Sequence, residues 1–218
     1  MKLYVKGTRL AWAQSLFVAK AKADDPLSKA KYQGTFIVEP TTLAFAGDAN
    51  PDTPAGQAKG YKYLPFKDAL GAAIQQAANE KFGARAAIIL AQLKAQNRLI
   101  LHDGAEKGEK PGYDGNQYFN AANELRPLLL NAAGGSVQAS DGVLYGGCYV
   151  TGVFDVWAGP GAKKQDIVGI SLLGVQFMRD GERLGGGLVA AADDFAAIPS
   201  AEGEKAAAGQ GAAGLFPT

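Results

Sequence analysis

The chain is 218 residues long, 47% hydrophobic, with 29 Gly. That reads as one domain with enough apolar side chain for a core, which excludes a wholly disordered chain. No uncharged run is apolar enough to span a bilayer, no basic-then-apolar leader opens the sequence, and the single cysteine, Cys148, excludes an internal disulfide framework, so a cytoplasmic protein is expected. The net charge of +1 hides an asymmetry: residues 1–102 hold 14 Lys and Arg against 7 Asp and Glu, residues 103–218 hold 8 against 14, and a basic half suits a polyanion.

Residues 2–18 read as extended, with Lys2, Tyr4, Lys6 and Thr8 alternating with Leu3, Val5 and Gly7. Asp24-Asp25-Pro26 is turn chemistry. Lys31 to Glu39 follows as a strand ended by Pro40, with Tyr32, Phe36 and Val38 on one face. Residues 47–65 form a long loop rich in Gly, Pro, Asp and Asn that carries Tyr61-Lys62-Tyr63. The period then changes, since Phe66, Ala69, Leu70, Ala73, Ile74 and Ala77 recur at helical spacing. A second helical stretch over 84–96 follows Gly83. Arg98 to His102 reads as a short strand, 103–115 as a loop too hydrophilic to be core, and Tyr118 to Asn123 as a strand. Leu128-Leu129-Leu130 is apolar, and 131–142 is a loop. Gly147 to Ala158 is a strand with Cys148, Val150, Gly152, Phe154 and Val156 on one face. Ile167 to Met178 is apolar on both faces and is expected to be a central strand. Asp180-Gly181 signals a tight turn.

Strands, a helical insertion and further strands separated by long loops suit a mainly β fold. The expected form is a partly open barrel like the oligonucleotide-binding (OB) fold, with an inserted helical segment. The expected domain covers 1–195, and 196–218 form a flexible C-terminal tail.

Chemistry that needs clustered ligands is poorly supplied. One His (His102) and one Cys exclude a zinc spacing, the twelve-residue acidic calcium loop is absent, and Asp103, Glu106 and Glu109 could ligate a hard cation but lack a diagnostic spacing. Gly185-Gly186-Gly187 lacks the Lys-Ser/Thr of a phosphate loop. His102 and Cys148 read as structural residues, and no cofactor, metal or catalytic group is expected. The main signal is the interleaving of aromatic and basic residues. Rings stack on exposed bases and cations neutralise phosphates, which is what a single-stranded nucleic acid requires. Tyr61, Tyr63, Tyr113 and Tyr118 are the candidate stacking rings and Lys31, Lys62, Arg98 and Arg126 the candidate phosphate contacts. Tyr4 and Trp157 are expected to line the same groove.

The pieces Lys31-Tyr32-Gln33-Gly34-Thr35-Phe36, Leu101-His102-Asp103-Gly104 and Gly112-Tyr113-Asp114-Gly115 occur in that order. They are followed by Asn123-Glu124-Leu125-Arg126-Pro127, Leu144-Tyr145-Gly146-Gly147-Cys148-Tyr149-Val150 and Leu173-Gly174-Val175-Gln176-Phe177-Met178-Arg179-Asp180-Gly181-Glu182. In this order and spacing the chain resembles the phage-encoded single-stranded DNA-binding proteins over roughly residues 4–195. The resemblance implies an OB barrel that coats single-stranded DNA without sequence preference or catalysis, in phage or prophage replication or recombination. The implied partners are single-stranded DNA and replication or recombination proteins. Self-association into a homo-oligomer is compatible with the sequence, and a membrane partner is not expected. The acidic tail common in such proteins is weakly matched here, by Asp193, Asp194, Glu202 and Glu204 against Lys205. A phage structural or assembly protein without nucleic-acid binding is the alternative. A nuclease is a third reading, opposed by the lack of a clustered acidic site.

Overall fold

A computed structural model describes residues 1–21, 28–161 and 165–185. The expected tail, the domain boundary at 195, the Asp24-Asp25-Pro26 turn and most of Gly185-Gly186-Gly187 lie outside the described residues.

The compact unit Met1–Gly185 is built on one curved sheet. Strand β1 (Lys2–Trp12) leads into a one-turn helix α1 (Gln14–Phe17), then β2 (Tyr32–Val38), β3 (Leu43–Ala46) and a short helix α2 (Pro54–Ala58). The two-residue β4 (Leu64–Pro65) opens the long helix α3 (Phe66–Phe82), which a 3-10 turn at Gly83–Arg85 separates from α4 (Ala86–Ala95). Then come β5 (His102–Asp103), β6 (Gln117–Asn123), β7 (Leu128–Leu130), β8 (Tyr149–Pro160) and β9 (Asp166–Arg179). The strand order is β5-β6-β2-β1-β8-β9-β7, with β3 on the first half of β1 and β4 on β3. All pairs are antiparallel except β7 with β9. The sheet curls until β6 faces β9, where the Asn123 amide donates to the Leu172 carbonyl at 2.9 Å across the unladdered gap. This is the partly open barrel with a helical insertion expected from the sequence.

Glycine makes the curl possible. Gly7 has φ +75, and the β1–β8 register shifts between Lys6 and Thr8. The extra residue bends β1 and lets it trade β3 for β2 on one edge. The bulge also inverts the alternation. Leu3 and Val5 point into the barrel before it and Leu10 after it, all fully buried. Thr8, expected on the polar face, is fully buried too, and its hydroxyl donates to the Ile37 carbonyl at 2.7 Å.

Inside, Phe36, Phe119, Phe154 and Phe66 form one aromatic cluster. Phe119 stacks on Phe36 at 5.2 Å and on Phe66 at 5.4 Å, and meets Phe154 edge-on at 5.2 Å. Helix α3 closes this end with Ala69, Leu70, Ala73 and Ala77 inward, at the expected spacing. Cys148 is fully buried, and burial pushes its thiol pKa up, which suits a core residue.

Some boundaries differ. Residues 13–18 turn into α1 instead of extending β1, and pairing near His102 is limited to His102–Asp103. β9 lies next to the sheet edge and not at its centre, with β7 covering only Gly174–Gln176. Among the described residues no strand follows Asp180-Gly181, and the chain lies back on Gly146, with Leu184 N–H donating to its carbonyl at 2.8 Å. Segment 103–116 is mostly exposed, as expected, but Gly104 and Tyr113 within it are buried. Gly104 sits where a Cβ would be 2.0 Å from the Tyr113 carbonyl, and Tyr113 packs with Tyr118, Ile37 and Ala11 against the outside of the sheet.

Candidate nucleic-acid interface

Both tryptophans of the chain line one groove of about 660 Å³ across the open side of the barrel. Its floor comes from the outer face of β2 and β6, with Gln33, Thr35 and Asn120, and its far wall from β8 and β9 with Trp157, Gly169 and Ser171. Trp12 is 56% exposed and Trp157 36%. Alternation alone would put Trp12 in phase with Leu10, inside. A second register shift, between Leu10 and Trp12, drops Ala11 out of step and leaves Trp12 opposite Thr35 on the outer face.

Trp157 is held flat over Gly169, where a Cβ would stand 2.4 Å from the ring, and its indole N–H donates to the Ser171 hydroxyl at 3.0 Å. One face of the ring is thus packed on backbone and the other faces the groove. Thr35 donates to the Asn120 amide oxygen at 2.7 Å, which orders the polar floor.

Cations stand at one rim. Lys20 and Lys31 exchange backbone hydrogen bonds of 3.0 Å each way, which sets the two lysines side by side beyond β1 and β2. Glu124 reaches across from the end of β6, 3.1 Å from the Lys29 ammonium and 3.9 Å from that of Lys31.

Of the residues singled out in the sequence, Lys31 and Trp157 meet in this groove. Tyr4, Tyr113 and Tyr118 do not present open rings. Tyr113 is 9% exposed, and burial raises the pKa of the Tyr113 and Tyr118 phenols. Tyr118 lies beneath Lys107 and beside His102, and Tyr4 is buried under the 47–52 loop with its hydroxyl toward the Asp48 carbonyl at 3.4 Å. A ring without a free face is not available to a base, and the fold does not bring these three to the groove. Tyr61 and Tyr63 are half-buried and tied into their own loop. Tyr61 donates to Asp48 at 3.0 Å and leans on Phe45, and Tyr63 donates to Asn50 at 2.8 Å. Burial, with the Asp52 carboxylate beside it, pushes the Tyr63 phenol pKa well up. Lys62 is exposed on that loop. Arg98 lines a separate cleft beside α4 and Arg126 another beside β7. The sequence reading missed Trp12 and Lys29. The signal for Trp12 was an aromatic at the end of an alternating strand, but its outward face depends on a bulge that alternation does not show.

A family model described as "Enterobacter phage Enc34, ssDNA-binding protein" matches residues 1–206. "Putative protein p50" of Acyrthosiphon pisum secondary endosymbiont phage 1 is 40% identical over 109 residues, 50% of this chain; the match spans 58% of that relative's length. Among solved structures, the single-stranded DNA-binding protein from bacteriophage Enc34 superposes with a TM-score of 0.52 at 21% identity, covering 88% of each chain. The same protein in complex with ssDNA gives 0.51 at 19% identity, covering 84% of this chain and 89% of that one. At these identities the superpositions establish a shared fold, and the family match establishes kinship. The chain belongs to the family of the Enterobacter phage Enc34 ssDNA-binding protein.

Proposed function

We propose that the chain binds single-stranded DNA without sequence preference in phage or prophage replication or recombination, and that it does so in the groove between Trp12 and Trp157. The observation that carries this is the placement of both tryptophans, exposed, on one groove with Lys31 at its rim. Bases stack on the open indole faces, which every base accepts because every base has a π-face. Lys29 and Lys31 meet the phosphates, and Gln33 and Asn120 offer amides to base edges without a fixed pattern to read. No bond is made or broken, so the protein acts as a binder and not an enzyme. Its place is the host cytoplasm, where the phage DNA is copied. Family membership supports the same reading. No described helix is long and apolar enough to cross a membrane.

Because both tryptophans of the chain line this groove, emission excited selectively at tryptophan reports on it. Titration with oligothymidylate is expected to quench that emission, with affinity falling as salt rises because counterions are released, and with a matched duplex binding much more weakly. Trp12→Ala and Trp157→Ala should each cost about 1–3 kcal/mol of binding. Saturable binding with unchanged emission would move the site elsewhere. No binding at low salt would remove the proposal and favour an assembly role.

A further inference from the structure

We propose that the bound strand continues past Trp12 into a second cleft, where Lys20 and a Tyr145–Arg183 pair hold the next part of its backbone. This rests on reading the first groove as the single-strand site. Trp12 lines both clefts, so the two adjoin at one exposed ring. The second cleft encloses about 520 Å³ and is walled by Phe17 and Val18 of the α1 turn on one side and by Tyr145 and Leu184 on the other. A base entering it meets apolar walls. Val18, 58% exposed, is free to be covered.

Charge then favours a polyanion over an apolar peptide. Lys20 lines the cleft, and the Arg183 guanidinium lies over the Tyr145 ring, 4.3 Å from its centroid. Neither cation forms an ion pair with a carboxylate among the described residues. A guanidinium stacked on a ring is pre-oriented, so less side-chain freedom is lost when it meets a phosphate. The nearby Asp180 carboxylate is occupied, accepting from the Tyr145 hydroxyl at 2.8 Å, while the Gly181 N–H donates to that hydroxyl at 3.1 Å. The wall itself is pre-formed. Gly147, at φ +114, lies where a Cβ would stand 2.0 Å from the Glu182 carbonyl, and Gly146 would meet the Ala11 carbonyl at 2.9 Å. This close packing presses the 179–184 segment against the end of β1 that carries Trp12.

The test uses the full chain and labelled oligothymidylates of about 4 and about 16 nucleotides, the two ends of the range one OB fold covers. The wild type is expected to bind the long strand much more tightly. Lys20→Gln with Arg183→Gln should remove most of that gain and lower the salt slope on the long strand by about 1.4, near 0.7 for each phosphate left without its cation. Binding of the short strand should stay unchanged. Val18→Glu, a surface change at the same cleft, should weaken the long strand selectively as well. Equal losses on both lengths, or none on either, would overturn the second cleft; in the latter case the cleft serves a protein segment instead. Failure of the wild type to bind the short strand would overturn the first-groove reading, a separate result.

Discussion

Glu124 is the residue on which the candidate groove's charge turns. Its carboxylate sits between the Lys29 and Lys31 ammonium groups, at 3.1 and 3.9 Å, where a phosphate of a bound strand would sit. All three side chains are substantially exposed, so the pairs add little stability, and replacing Glu124 leaves the fold as it is. Glu124→Gln keeps the shape and removes the competing charge. It is expected to tighten single-strand binding several-fold at low salt, with the gain shrinking as salt rises. The gain should vanish when Lys29 and Lys31 are both Gln, which anisotropy titrations of the four proteins would show. A weaker Glu124→Gln protein would mean that the carboxylate positions the lysines and does not compete.

At the scale of elements, the 47–63 loop is held by a network of its own. Lys6 pairs with Asp52 at 2.7 Å, Lys59 with Asp48, and the Tyr61 and Tyr63 hydroxyls donate into the same carboxylates. Lys59 and then Tyr61 hold the Asp48 carboxyl below its ordinary pKa. The Asp48 contribution is therefore complete above the ordinary carboxylate range and is lost as pH falls through the lowered value. Rings spent on such a latch are expected to matter for stability and not for the strand. Tyr63→Phe removes only a hydroxyl and should cost about 1 kcal/mol in urea unfolding. Tyr61→Ala with Tyr63→Ala should lower Tm further and leave single-strand affinity within about twofold, against the 1–3 kcal/mol expected of a stacking ring. A larger loss of affinity would place this loop on the strand.

At the scale of the molecule, the barrel depends on the phenylalanine cluster that joins β2, β6, β8 and α3. Phe119 is fully buried and touches a ring from each of the other three elements. Phe119→Ala is expected to cost about 3–5 kcal/mol in chemical denaturation. That is a large share of the 5–15 kcal/mol that holds a typical domain. Because the groove floor is the outer face of the same β2 and β6 strands, the variant should also bind the strand more weakly near its Tm. Unchanged stability would mean that α3, and not the cluster, holds the barrel closed.

The mainly β class, a helix over 66–81 interrupted around Gly83, the inward face of β8 and the family were all legible in the sequence. Periodicity and local turn chemistry are written into neighbouring residues. Of the rings that line the candidate groove, Trp157 was legible and Trp12 was not. Tyr113 looked like a surface residue because its neighbours are polar, yet it is buried by packing on Ile37 and Tyr118 from distant strands. Trp12 was not singled out, and although it shares the parity of Lys2, Tyr4 and Lys6, it ends on the outer face only because two register shifts, at Gly7 and before Trp12, cancel. A side chain's exposure depends on what the chain brings over it from far away, and a bulge inverts a whole pattern without changing its composition. The residues available to a ligand were therefore decided only when the sheet curled and the loops closed over its outer face.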